Sequence, residues 1–231
     1  MKNPPSANLK LLATATCLTG LLTASLAISR AATANTPDDW GIEPAMVEAT
    51  SGADTRSNDV EAPHPIWALA ASNLYYTLPA RGGSGGGPGT LSCGQGDVAV
   101  GIYGRSGIYI DQLGLTCAHL NDDGSLGPSY DIGTYGGPGG GFFRIICPVG
   151  QAIVGFHGGS GALVDRLGLY CSGVGNWRTN GSVQHITGTV GGGGGGPFVD
   201  LCPSDYVAAR INVRTGLYVD REELLCAYIY P

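Results

Sequence analysis

Short apolar runs, each bounded by Gly, Pro, Ser, Asn or Asp, recur along the later two thirds of the chain. Val98–Ile102, Ala152–Phe156 and Val207–Ile211 form one set; Ile108–Leu115, Leu163–Tyr170 and Leu217–Leu225 form another. Their brevity and their enrichment in β-branched and aromatic residues predict strands rather than helices. Two further strand candidates, Ser129–Ile132 and Val183–Thr187, stand just before Gly-rich runs, and Leu74-Tyr75-Tyr76-Thr77 stands before a Gly-Gly in the same way.

The pattern is a repeat. Cys93 and Cys117, Cys147 and Cys171, and Cys202 and Cys226 are each 24 residues apart. Glycine returns 14 residues after the first cysteine and aspartate 18 after it, as Gly107/Asp111, Gly161/Asp165 and Gly216/Asp220. A Gly-rich run precedes each unit, from Gly82, Gly136 and Gly191. Agreement at so many offsets marks internal duplication, with units near 73–120, 129–173 and 183–231. The third unit stops at Pro231 before a strand of its own, so the strand near Tyr75 is expected to complete the last sheet and tie the two ends together. Three sheets of about four strands, none able to bury its apolar face alone, predict one all-β domain over 66–231.

Ahead of that domain, Lys2 and Lys10 flank an apolar stretch, Leu11–Ile28, which is followed by Ala32-Thr33-Ala34. This predicts a secretory signal peptide over 1–34, cut before Asn35, and a secreted protein. Residues 35–65, polar and proline-bearing, read as a flexible arm. Cys17 leaves with the signal, and six cysteines in an oxidising compartment predict three disulfides. Six formally allow 15 connectivities. Equal spacing favours pairing within each unit, Cys93–Cys117, Cys147–Cys171 and Cys202–Cys226, worth about 3 kcal/mol apiece in the chain-entropy picture. No histidine repeats with them, which argues against zinc.

Charge narrows the partners. The chain holds 12 Lys and Arg against 18 Asp and Glu, a net charge of −6, and its lysines all fall in the signal. Such a surface repels phosphate backbones and anionic lipid heads, which excludes nucleic acid and bare membrane and favours a neutral ligand. With 40 glycines beside 43% hydrophobic residues, the chain is one of tight turns rather than a collagen or a disordered tail.

The segment IVGFHGGSGALVDRLGLY, Ile153 to Tyr170, resembles the last Greek key of jacalin-related lectins, IVGFxGRSGxxLDxIGxY. The first unit, with Gly104-Arg105-Ser106-Gly107 and Asp111, is similar. The resemblance covers about two thirds of the chain. It implies a β-prism of three four-stranded Greek-key sheets with pseudo-threefold symmetry, and a sugar held between a Gly-x-x-x-Asp loop and a Gly-Gly turn. The paired cysteines depart from that pattern and resemble another prism protein, the vitelline membrane outer layer protein.

A sugar needs fixed acceptors, fixed donors and a flat contact. Asp111, Asp165 and Asp220, acceptor-only when ionised, can each take hydrogens from two hydroxyls in charge-assisted bonds. The resemblance implies donation from the main-chain N–H groups of Ile108/Tyr109, Ala162/Leu163 and Leu217/Tyr218. Gly107, Gly161 and Gly216 are expected to use positive φ and to let a ligand approach the backbone. By the family's chain order, Asp111 should meet Gly136-Gly137, Asp165 should meet Gly191-Gly192, and Asp220 should meet Gly82-Gly83, each turn adding an N–H. Tyr109 and Tyr218 could cover a sugar face. Leu163 stands there in the second unit, so the Asp165 site is expected to be the weakest or differently selective.

The expected function is therefore glycan binding at up to three sites, with no cofactor and no metal. The alternative is a structural extracellular protein in which each aspartate merely caps its own loop. An enzyme ranks third, because no nucleophile–base pair or repeated carboxylate pair is visible. His157, matched by Tyr103 and Asn212 in the other units, reads as an exposed strand-end residue. Asn121-Asp122-Asp123-Gly124 reads as a polar turn rather than a calcium loop. Trp177 reads as a partly buried anchor.

Overall fold

The two apolar runs of each repeat pair with each other as an antiparallel hairpin, and an outer strand joins on either side. The computed structural model describes residues 69–230; the signal segment, the arm and the boundary at residue 66 lie outside the described residues. In chain order the strands are β1 (Ala70–Thr77), β2 (Arg81–Gly82), β3 (Gly87–Ser92), β4 (Asp97–Ser106), β5 (Ile110–Leu120), β6 (Leu126–Gly136) and β7 (Gly141–Ile146). There follow β8 (Ala152–Ser160), β9 (Val164–Ser172), helix α1 (Val174–Asn180), β10 (His185–Ile186), β11 (Val190–Gly191), β12 (Gly196–Leu201), β13 (Tyr206–Thr215) and β14 (Val219–Tyr230).

Two sheets are continuous in sequence: β6-β5-β4-β7, and β10-β9-β8-β12 with β11 also on β9. Both follow the Greek-key order. The third is assembled from the two ends of the described chain, as β1-β14-β13-β3 with β2 also on β14. Tyr75 pairs with Ala227 and Thr77 with Leu225, so the strand near Tyr75 does complete the last sheet. β3, β7 and β12, which follow the Gly-rich runs, were not among the expected strands. Each is short and buries few side chains, chiefly Leu91, Phe143 and Phe198.

The core is built from the inner hairpins. Ile102, Ile110, Leu113 and Leu115 of one sheet, Ile153, Phe156, Leu167 and Leu169 of the next, and Ile211, Leu224 and Ile229 of the last are almost wholly buried. A register shift interrupts the inner hairpins at the same place in each copy, around Val100, Val154 and Ala209. The carbonyls of these three residues accept the N–H groups of Cys147, Cys202 and Cys93, each at 2.9 Å.

All three disulfides have the expected pairing, with Cα atoms 5.6, 5.7 and 5.8 Å apart. Their role is wider than the repeat suggests. Cys93 follows β3 of the last sheet while Cys117 lies in β5 of the first, and the other two pairs step in the same way from sheet to sheet. Each bond within a sequence unit is thus a staple between neighbouring sheets.

Helix α1 departs from the all-strand expectation. It ends at Gly181 in a left-handed cap whose N–H returns to the Trp177 carbonyl. Trp177 is the anchor expected of it, buried, with its indole N–H donated to the Pro203 carbonyl at 3.1 Å. Among the described residues no helix is long and apolar enough to cross a membrane.

Candidate functional site

The three inner hairpins end in equivalent loops, Gly107–Tyr109, Gly161–Leu163 and Gly216–Tyr218. In each, the glycine N–H donates to the carbonyl of the third residue, at 2.9, 2.9 and 3.0 Å. The aspartate follows as the second residue of β5, β9 or β14.

Every loop meets the turn that follows it. Gly136, Gly191 and Gly82 pair with Gln112, Arg166 and Arg221, the residues after the aspartates, at φ of 119°, 100° and 112°. The next glycine donates its N–H to the aspartate carbonyl: Gly137 to Asp111 at 2.9 Å, Gly192 to Asp165 at 3.0 Å, Gly83 to Asp220 at 2.8 Å. Those N–H groups are therefore engaged inside the protein, which corrects the expectation that Gly83, Gly137 and Gly192 offer them to a ligand.

The glycines that face the carboxylates come three residues later. A Cβ built on Gly139, Gly194 or Gly85 would overlap Oδ1 of Asp111, Asp165 or Asp220. One on Gly140, Gly195 or Gly86 would lie 2.6, 2.5 or 2.6 Å from Oδ2 of the same aspartates. Sequence reasoning missed this second pair, although a Gly-Gly recurs three residues after the first in all three runs.

A second correction concerns Gly107, Gly161 and Gly216. None has positive φ. A Cβ there would find its closest neighbours at 3.7, 3.8 and 3.8 Å, the aspartate Oδ2 among them in every case. The fold does not demand glycine at these positions; a side chain there would come into ordinary contact with the carboxylate and cover its approach.

Asp111 and Asp165 are buried, at 5% and 7% exposure, and Asp220 is half-buried. Oδ2 of Asp111 is buried without a hydrogen-bond partner. That is costly for a carboxylate unless something else supplies donors. Arginines fix the far side of the glycine pairs. Arg105 donates to the carbonyls of Gly139 at 2.8 Å and Gly140 at 2.6 Å, and Arg214 to those of Gly85 at 2.8 Å and Gly86 at 2.7 Å. In the second copy Gly159 replaces that arginine, and Arg166, beside Asp165, reaches the Gly194 carbonyl at 2.6 Å instead.

The loops also interlock around the pseudo-threefold axis. The carbonyl of Leu217 would lie 2.5 Å from a Cβ on Gly137, and that of Ala162 2.5 Å from one on Gly83; Ile108 crowds Gly192 in the same manner. Each turn is therefore bordered by the loop of a different repeat. Tyr109 and Tyr218 meet edge to face with centroids 5.3 Å apart, so part of the surface expected to cover a sugar is spent on their mutual contact.

The remaining candidates resolve simply. His157 lies within β8, partly buried, over Gly168 and 4.9 Å from the Tyr170 ring; it is not an exposed strand end. Its Nε2 bonds the Thr187 carbonyl at 3.2 Å, and burial holds its pKa below the usual value. Asn121–Ser125 is a self-satisfied turn: the Ser125 N–H and hydroxyl both donate to Asp123, at 2.9 and 2.6 Å, and hold its carboxyl below the ordinary range. Among the described residues, no three His, Cys, Asp or Glu are grouped to hold a metal.

Three Greek-key sheets with three aspartate loops interlocked at one end define a β-prism. No family model and no curated protein matches the chain. Solved structures share the fold. A Malaysian banana lectin is 18% identical over 67% of this chain and 99% of its own, with a TM-score of 0.50. A mannose-binding jacalin-related lectin from Ananas comosus is 21% identical over 67% and 98%, at 0.51. A mannose-specific jacalin-related lectin from Morus nigra is 16% identical over 68% and 96%, at 0.52. The chain has the fold of the jacalin-related lectins.

Proposed function

We propose that the protein is a secreted carbohydrate-binding protein with three sites. Asp111, Asp165 and Asp220 accept hydrogens from sugar hydroxyls, and the N–H groups of Ile108/Tyr109, Ala162/Leu163 and Leu217/Tyr218 donate to sugar oxygens. The observation that carries this reading is Asp111 itself, 5% exposed at the end of its hairpin and with its Oδ2 bonded to nothing in its own loop. A capping aspartate would be bonded to its own loop, so the capping alternative lacks the bond it requires there. Two of the fold neighbours, the mannose-binding lectin of Ananas comosus and the mannose-specific lectin of Morus nigra, make mannose the first sugar to try. Complete pairing of the six domain cysteines supports export.

The test is a glycan array probed with the multivalently displayed protein, followed by Asp111→Asn, Asp165→Asn and Asp220→Asn singly and together. Retention of a defined glycan class, stepwise loss in the single variants and full loss in the triple variant are expected, with unchanged circular dichroism. No retention above background, or single variants that unfold, would return the aspartates to a purely structural role.

A further inference from the structure

The three repeats differ on the outer face of their sheets, just below the loops. In the first, Tyr103 of β4 is paired across the hairpin with Gly114 of β5, and its ring lies on that glycine, 2.7 Å from where a Cβ would be. The second is built alike, with His157 over Gly168 at 2.6 Å. In both, the ring reaches on to a carbonyl of the neighbouring outer segment, Ile132 or Thr187. The third repeat has Asn212 paired with Glu223. No ring stands over this pair, and a groove of about 320 Å³ runs over Thr90, Asn212, Arg214, Arg221 and Glu223.

The chemistry of this groove is specific. Asn212 accepts from the Thr90 hydroxyl at 3.2 Å and donates to Glu223 Oε2 at 3.0 Å, which holds the carboxylate in place. Glu223 Oε1 stands 4.0 Å from Arg221 Nη2, beyond hydrogen-bond distance, with both side chains partly exposed. A carboxylate oxygen and a guanidinium set side by side present an acceptor and a fork of donors, which suits the adjacent hydroxyls of a pyranose. The volume is at the small end of the roughly 300–1,000 Å³ usual for ligand sites. It adjoins the Asp220 site: Arg221 follows that aspartate in β14, and Arg214, which lines the groove, bonds the Gly85 and Gly86 carbonyls of the turn that packs on it.

We infer that the groove over Asn212, Arg221 and Glu223 is a second subsite, taking the next pyranose of a glycan whose terminal sugar is held at Asp220. The inference rests on the proposed sugar site and gives the third repeat a preference for oligosaccharides that the other two lack. A second sugar hydrogen-bonded to charged groups should tighten binding about tenfold.

The experiment is an amide NMR titration of the protein with its disulfides formed, which reads each site through its own loop. The probes are the methyl glycosides of mannose, glucose and galactose, and disaccharides of each. Disaccharide is expected to bind the Gly216–Asp220 loop about tenfold more tightly than the matching monosaccharide, moving Asn212 and Glu223 as well. The loops at Asp111 and Asp165 should show no such gain. Asn212→Tyr with Glu223→Gly, which rebuilds the first repeat's arrangement, should bring the ratio at Asp220 to about one. Glu223→Gln, which keeps the shape, should lower it too. Equal affinity for the two probes at Asp220, or a gain that survives both variants, overturns the subsite alone. Failure of every probe to move any of the three loops overturns the sugar sites and the subsite together.

Discussion

A methyl group on Gly107 would meet nothing closer than 3.7 Å, whereas one on Gly139 would overlap the Asp111 carboxylate. Two glycine-to-alanine changes within one site are therefore expected to behave differently. Gly107→Ala should leave stability within about 0.5 kcal/mol of the parent, as a surface change does, while weakening sugar binding at that loop alone. Gly139→Ala should cost about 1–3 kcal/mol through overpacking, and should also abolish the site. Chemical denaturation and sugar titration of each variant would check this; a Gly107→Ala protein that folds and binds like the parent would show that this glycine does not serve a ligand. The aspartates were legible in the sequence because duplication copies them at one offset. The second glycine pair was not, because no single glycine in such runs says which one packs on the carboxylate.

At the scale of elements, the glycine segments are pinned from outside by arginine. Arg105→Gln removes two bonds to the Gly139 and Gly140 carbonyls. Hydrogen bonds to charged groups contribute roughly 1.5–3 kcal/mol each, but this arginine is partly exposed and part of that is recovered from water. Faster amide exchange in residues 137–141 and weaker binding at Asp111 are expected, with Asp220 unaffected; unchanged exchange there would show that the arginine is incidental. Arg105 and Arg214 share an offset from their cysteines, but Arg166 reaches the same place from the opposite strand, so alignment of the repeats hides the equivalence. The strands of the inner hairpins were legible because they carry the core. β3, β7 and β12 were not, since main-chain pairing rather than apolar pattern holds them, and α1 interrupts one repeat without a counterpart in the others. The staples behave as inter-sheet devices, so replacing Cys202 and Cys226 by Ala should cost about 3 kcal/mol. The sheet built from β1, β14, β13 and β3 should lose exchange protection first, and uniform loss across all three sheets would contradict that assignment.

Closure of the whole molecule rests on the seam where the β1–β2 strap meets β12, and there the threefold pattern breaks. Position 222 is Glu where the other repeats have Leu113 and Leu167. Arg81 pairs with it across the ladder where they have Tyr135 and Val190. Arg81 is committed elsewhere, to Asp200 of β12 at 2.6 and 2.5 Å, and that contact raises its own pKa. Glu222 is left 1% exposed, with Oε2 lacking a partner. Burial, and then the charge of Asp200, push its carboxyl up to about 8, against the pull of Arg81 and with a small further push from Glu223. The folded protein thus holds this proton more tightly than the unfolded chain, where the carboxyl returns to its ordinary range near ~4.3. The stability linked to it is fully present below that range and is lost as pH rises towards 8, where the folded protein also ionises. Thermal unfolding should therefore shift downward between about pH 5 and pH 8, by an amount reflecting several kcal/mol. Glu222→Gln should flatten the profile over that interval, and Glu222→Leu, which restores the residue of the other repeats, should flatten it and stabilise the protein at pH 8. If the Gln variant kept the parent's slope, the seam would not be where pH acts on closure, and the strap would have to be held by β1 and β3 alone.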